Sequence, residues 1–361
     1  MRYPDNRIKT PVAIAGIIVL LACVGGSIWF DLESDKIIGP NRLVAGPAGS
    51  VYIRAYHEIY VLWDDGTSNR TLNIGKDLDI HEPVADFYVN PDGGLWVGLQ
   101  DSQRIRLYSP EGDYLRDYNR EASPVSPNGA RDFRFSRNPG TGYLYVSDTF
   151  QHQIQVYNGS EEQVENLTEF SGKTVRYPGG ILYRDGSVYV ADRDRERFIV
   201  LSGLGDPEQE IHLDSILQTE RTYPLRFSIN NGNIVILSRA MIPLPGQDVY
   251  IIHTASKYTG GGEIVPESAV KIRGNTTGID FMDVLARKND ILVADPNAFK
   301  ILRYSPEGEP MGAFGDEEFL KSIKSLRDWK RNLTILRIAS LVAAVSILVW
   351  FLIAYKKSQN Q

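Results

Sequence analysis

Three aspartate–phenylalanine pairs are the residues whose type and spacing best suit chemistry: Asp86-Phe87, Asp132-Phe133 and Asp280-Phe281. Each opens a short apolar segment. Carboxylates brought together from separate segments would make an oxygen-only ligand set for a hard cation such as Ca²⁺. The simpler reading is that each aspartate caps its own loop or pairs with a nearby arginine such as Arg131. Nothing else in the chain supplies a second reactive group. His57, His81, His152, His212 and His253 fall in separate segments, with no pair at metal-ligand spacing. The sequence contains no H-E-x-x-H, serine nucleophile elbow or Walker loop. Gly260-Gly261-Gly262 lacks a strand–helix context and reads as a turn. A metal-dependent lyase or lactonase would need a bound cation and a general base, and scattered histidines offer no base. No cofactor is expected, with Ca²⁺ as the one alternative.

The elements that would carry these aspartates repeat. Four segments align: GLWVGLQDSQRIRLYSPEG from Gly94, YLYVSDTFQHQIQVYNGS from Tyr143, SVYVADRDRERFIVLSG from Ser187 and DILVADPNAFKILRYSPEG from Asp290. Each reads as a strand, a polar turn and a second strand. Asp148, Asp192 and Asp295 end the first strand in three of them, and Gln153, Arg197 and Lys300 follow five residues later. Two weaker copies begin at Gly49 and Gly232. The marker strands start near 51, 95, 144, 188, 234 and 291. An earlier strand precedes each, over 42–45, 86–89, 132–135, 180–183, 225–229 and 279–284, and a fourth follows. Four strands every ~45 residues is the signature of a propeller blade, and these copies predict an all-β, six-bladed propeller over residues 42–315. A lone four-stranded sheet buries neither face, whereas sheets packed around an axis bury both.

The V-x-V-A-D…R-I pattern, best seen in 187–202, resembles the NHL repeat, and the resemblance spans 42–315. It implies that the blade aspartate and the later basic residue organise turns. It does not choose a function, because the family holds binding propellers as well as a lyase and lactonase-like relatives.

Two apolar stretches bracket the repeats. Residues 12–30 and 338–355 carry no charge, and each is long enough for most of a hydrocarbon core of about 30 Å. The expected organisation is a cytoplasmic tail (1–11), a transmembrane helix (12–30), a linker (31–41), the propeller, an amphipathic juxtamembrane helix (316–334), a second transmembrane helix (335–355) and a short tail (356–361). Arg2, Arg7 and Lys9 before the first span keep its start cytoplasmic, and Lys356 and Lys357 agree, while Lys330, Arg331 and Arg337 oppose. The propeller is expected on the periplasmic side of a bacterial inner membrane. Leu20-Leu21-Ala22-Cys23 is similar to a lipoprotein cleavage box, so lipidation at Cys23 is the alternative to a retained helix. Phe319, Ile323, Leu326, Trp329 and Leu333 line one helical face, with Trp329, Lys330 and Arg331 placed for the membrane interface or on a plain stalk.

The net charge of −6 without a basic run argues against nucleic acid. Cys23 is the single cysteine, so the propeller has no disulfide. Residues 240–247 (AMIPLPGQ) place Met241, Ile242 and Leu244 where sister blades carry short polar turns, a candidate contact surface for a protein partner. These features predict a membrane-anchored, non-catalytic scaffold that docks a membrane or envelope protein. An enzyme at the channel mouth and an extracytoplasmic ligand sensor are the alternatives.

Overall fold

The computed structural model describes residues 10–76, 84–100, 102, 104–118, 133–212, 222–230, 233–240, 249–259, 263–273 and 283–359. Asp132, Asp280, Met241, Ile242 and Leu244 lie outside these residues. Two compact units divide the chain: Gly39–Ile323, and Met1–Ile38 with Lys324–Gln361.

In the first unit, successive strands pair antiparallel into four-stranded meanders, here sheets I to VI. Their innermost strands are Pro40–Ala45, Val84–Val89, Phe133–Arg137, Pro178–Arg184, Thr222–Asn230 and Asp283–Ala286. The marker strands of the repeat are the second strands: Val51–Ala55, Leu95–Leu99, Leu144–Asp148, Ser187–Asp192, Asn233–Ala240 and Ile291–Asp295. Meanders that pack face to face around a channel make a β-propeller. The apolar residues of neighbouring sheets share cores: Val44, Tyr52 and Ile59 with Phe87 and Val97, and Ala191 and Phe198 with Phe227 and Ile236.

Of the last inner strand, expected over 279–284, the described part is Asp283–Ala286, and residues 279–282 lie outside the described residues. A tight turn sets its register, with the Arg287 amide donating to the Asp290 carbonyl at 2.9 Å, so that Ala286 faces Ile291. Each sheet comes from one continuous stretch of chain, and side chains join the first sheet to the last. Arg287 Nη1 donates to Asp64 Oδ1 at 3.0 Å, and Asp316 Oδ2 accepts the Ser68 amide at 2.7 Å.

Helix α1 is Thr10–Lys36 and helix α2 is Glu317–Gln359. Both are long and apolar enough to cross a membrane. The expected juxtamembrane and transmembrane segments are one uninterrupted helix. The first turns of α2 belong to the propeller unit. There Phe319 is buried and meets Tyr60 edge to face, with ring centroids 5.3 Å apart. In the second unit the helices run antiparallel. Ser34 Oγ lies 3.4 Å from Thr334 Oγ1, Arg337 pairs with Asp31, and Lys330 Nζ donates to the Ile37 carbonyl at 3.0 Å. Lys330 thus serves the carbonyl just beyond the end of α1. Trp329 and Arg331 are exposed, and Cys23 sits half-buried in the middle of α1.

Candidate functional site

The inner strands bring Arg42, Asp86, Arg134, Arg226 and Asp283 onto one level of the channel. Ala45, Val89, Arg137, Tyr183, Ile229 and Ala286 face the starts of the second strands. Three residues earlier stand Arg42, Asp86, Arg134, Gly180, Arg226 and Asp283. Bulges interrupt the ladders of sheets I, II, IV and V at this level, freeing backbone groups there.

Arg42 is the centre of the arrangement. Its Nε donates to Asp86 Oδ1 at 2.6 Å and its Nη1 to Asp283 Oδ2 at 2.8 Å. It ties sheet I to sheet II on one side and to sheet VI on the other. Both carboxylates are fully buried. Each also accepts the amide of the following sheet's inner strand, Asp86 from Phe135 at 3.1 Å and Asp283 from Leu43 at 2.8 Å. Arg134 approaches Asp86 at 3.9 Å and donates to the Ala85 carbonyl, while Arg54 donates to the Val84 carbonyl. Arginines from both sides therefore satisfy carbonyls beside the bulge of sheet II. Burial alone would lower the Arg42 pKa, but Asp283 and Asp86 outweigh it and hold it above its ordinary value. Gly180 fits its place because a Cβ there would press on the Phe227 ring at 3.1 Å.

Of the expected trio of aspartates, Asp132 and Asp280 lie outside the described residues. Asp86 is on the level, its counterparts in sheets III and VI are Arg134 and Asp283, and Phe87 is level with Phe135. Among the described residues, no three His, Cys, Asp or Glu side chains converge as a metal site would require. Sequence reasoning missed Arg42, Arg54, Arg134, Arg226 and Asp283. Turns of unequal length between first and second strands hid their common level.

Beyond this level lies a cavity of about 490 Å³ on the side of the turns joining first and second strands. Arg42, Val44, Tyr88, Tyr183 and Leu182 line it, with Ser136, Ser228 and Asn230 as polar spots. Arg184, Arg287, Lys288 and Asp64 belong to its lining on the turn side. Burial pushes the Tyr88 hydroxyl pKa up, so the group stays a neutral hydrogen-bonding site.

The aspartates of the blade turns do local work. Asp148 Oδ1 accepts the amides of Phe150 and Gln151 at 3.1 and 2.9 Å, and Asp295 Oδ1 accepts that of Ala298 at 2.9 Å. Asp192 Oδ2 binds Arg197 Nε at 2.8 Å, with both side chains fully buried.

Sheets of this form around a channel define a β-propeller. The chain is similar to a streptogramin B lyase structure, with 14% identity, a TM-score of 0.50 and coverage of 78% of this chain and 84% of that one. It is also similar to catalytically inactive virginiamycin B lyase from Staphylococcus aureus with quinupristin, with 15% identity, a TM-score of 0.51 and coverage of 78% and 86%. The extracellular domain of a hybrid two-component system from B. thetaiotaomicron matches with 12% identity and a TM-score of 0.49, over 78% of this chain and 34% of that chain. At such identities the likeness is one of fold. No protein-family model matches the chain, and no curated protein does.

Proposed function

We propose that this chain is a membrane-anchored, six-bladed NHL-like propeller that acts as a non-catalytic scaffold, docking a membrane or envelope protein. The observation that carries this reading is the use made of the channel carboxylates. Asp86 and Asp283 are occupied by Arg42 and by backbone amides, so they brace neighbouring sheets. A braced ring offers a preorganised surface and lowers the ordering cost of association. The apolar helices at either end supply the anchor, and tethering raises the effective concentration of the propeller near a membrane partner. The basic residues before the first span favour a periplasmic propeller on a bacterial inner membrane. Partner contact is assigned to Met241, Ile242 and Leu244.

A gentle detergent pull-down of the full-length protein tests this, with mass spectrometry and metal analysis on one sample. One stoichiometric membrane partner, lost in the Met241→Asp/Leu244→Asp variant, is the expected result. A protein that elutes alone with about one equivalent of a divalent cation, lost on Asp132→Ala, would replace docking with metal-dependent lyase or lactonase chemistry.

A further inference from the structure

The inner strands carry a second ring of side chains next to the charged level. Residues two apart in a strand share a face. Two residues after the charged level, in sheets I to VI, stand Val44, Tyr88, Ser136, Leu182, Ser228 and Leu285. All of them line the cavity. Aliphatic side chains come from sheets I, IV and VI and hydroxyls from sheets II, III and V, so apolar surface and hydrogen-bonding groups share one wall. Ser136 Oγ accepts the Tyr183 amide at 2.9 Å and can still donate its own hydrogen. Burial keeps the Tyr88 phenol neutral, and Tyr183 and Asn230 add a second phenol and an amide nearer the mouth. The ring itself carries no charge. Of the charged level only Arg42 lines the cavity, and Asp86 and Asp283 already neutralise it. Asp64, Arg184, Arg287 and Lys288 line the turn side, where Arg287 pairs with Asp64. An ion moving down to the ring would shed water without gaining a counter-charge, whereas an uncharged molecule would exchange water for hydroxyls and apolar contact.

We propose that the channel cavity binds an uncharged small molecule with an apolar body and one or more hydroxyl or carbonyl groups. Tyr88, Ser136 and Ser228 hold its polar groups, and Val44, Leu182 and Leu285 pack against its body. The volume of about 490 Å³ falls in the range of small-molecule sites, and a few placed polar groups on an apolar wall are what orient a ligand there. Hydroxyls both donate and accept, so the wall suits alcohols and carbonyl compounds alike. This site does not rest on the docking assignment, and either can fail alone.

Isothermal titration of the full-length protein in detergent at neutral pH tests the site, with detergent-only titrations subtracted. The probes are p-hydroxybenzamide and cyclohexanol, with p-hydroxybenzoate as the charged counterpart of the first. One saturable site per chain is expected for at least one uncharged probe, bound tenfold or more tighter than p-hydroxybenzoate. Leu182→Trp fills the cavity and should abolish that binding. If Leu182→Trp does not fold, Tyr88→Phe carries the comparison, because it keeps the ring and removes one hydroxyl; a several-fold loss is expected for the probe that binds. Absence of saturable binding by both uncharged probes overturns the proposal. Equal or tighter binding of p-hydroxybenzoate overturns it too, as does affinity unchanged in the folded variant.

Discussion

Arg42 holds the first sheet to its neighbours on both sides, so its loss should weigh as much as truncating a large buried apolar side chain nearby. Arg42→Met leaves Asp283 buried without its cation and Asp86 with only the more distant Arg134, a defect that costs about 3–5 kcal/mol for a broken buried pair. Urea unfolding should show this as a lower midpoint, with Arg42→Lys recovering part of it because one ammonium cannot serve both carboxylates through separate prongs. A midpoint unchanged by Arg42→Met would mean that the sheets are held by packing alone. Asp290 offers a second test, through pH. Burial alone would raise its carboxyl pKa, but the two-pronged contact of Arg287 at 2.6 Å, together with Arg303, outweighs burial and holds it below the ordinary value. A carboxyl lowered in the folded state adds stability that is complete above about pH 4 and lost as pH falls through the lowered value. Wild type should therefore lose more stability than Asp290→Asn between about pH 4 and pH 2, measured by denaturant titration at each pH. Parallel acid limbs would contradict the pairing.

At the scale of elements, the start of α2 shows how a loop becomes a fixed helix. Asp316 precedes the first turn, and its Oδ1 accepts the Phe319 amide at 2.9 Å while both carboxylate oxygens hold Ser68. One side chain caps a helix and joins it to the outermost strand of sheet I. Asp316→Ala should cost about 0.5–2 kcal/mol, the usual range for a lost cap. Amide exchange should quicken in the first turn of α2 and in the Ser68 strand while the inner strands keep their protection. Uniform acceleration would place Asp316 in the global fold instead. The apolar stripe of this helix was legible in the sequence as a three- and four-residue spacing. Its cover was not, because Tyr60 lies more than two hundred residues away in the chain. The stripe also divides: Phe319 and Ile323 are buried, while Trp329 stays 41% exposed. The blades were legible for a physical reason. Burial on both faces fills strands such as Val188-Tyr189-Val190 with β-branched and aromatic residues, and turn aspartates recur because the same amides need acceptors. The charged level was not legible. Glycine, arginine and aspartate alternate there with no common residue type, and a difference of one residue in turn length moves them out of alignment.

At the scale of the molecule, the propeller and the helix pair present different surfaces. Ile14, Ile17, Ile18 and Leu21 of α1 are exposed, as are Val342, Val345, Leu352 and Ile353 of α2, so each helix presents a long apolar surface. Such surface is stable against lipid and an aggregation hazard in water. Both helices should remain with the membrane through alkaline carbonate washing and leave it only with detergent. Recovery of the intact chain in the wash would contradict the anchor. The same preparation decides the fate of Cys23, since intact mass distinguishes the full chain from one cleaved before Cys23 and acylated.

The docking claim itself is tested most directly by photo-crosslinking in intact membranes, with a photoreactive amino acid in place of Leu244 and a control at exposed Leu115. Docking predicts one discrete adduct with a single membrane protein from position 244 and none from position 115. The absence of an adduct at 244, or an identical spread of adducts from both positions, would contradict it.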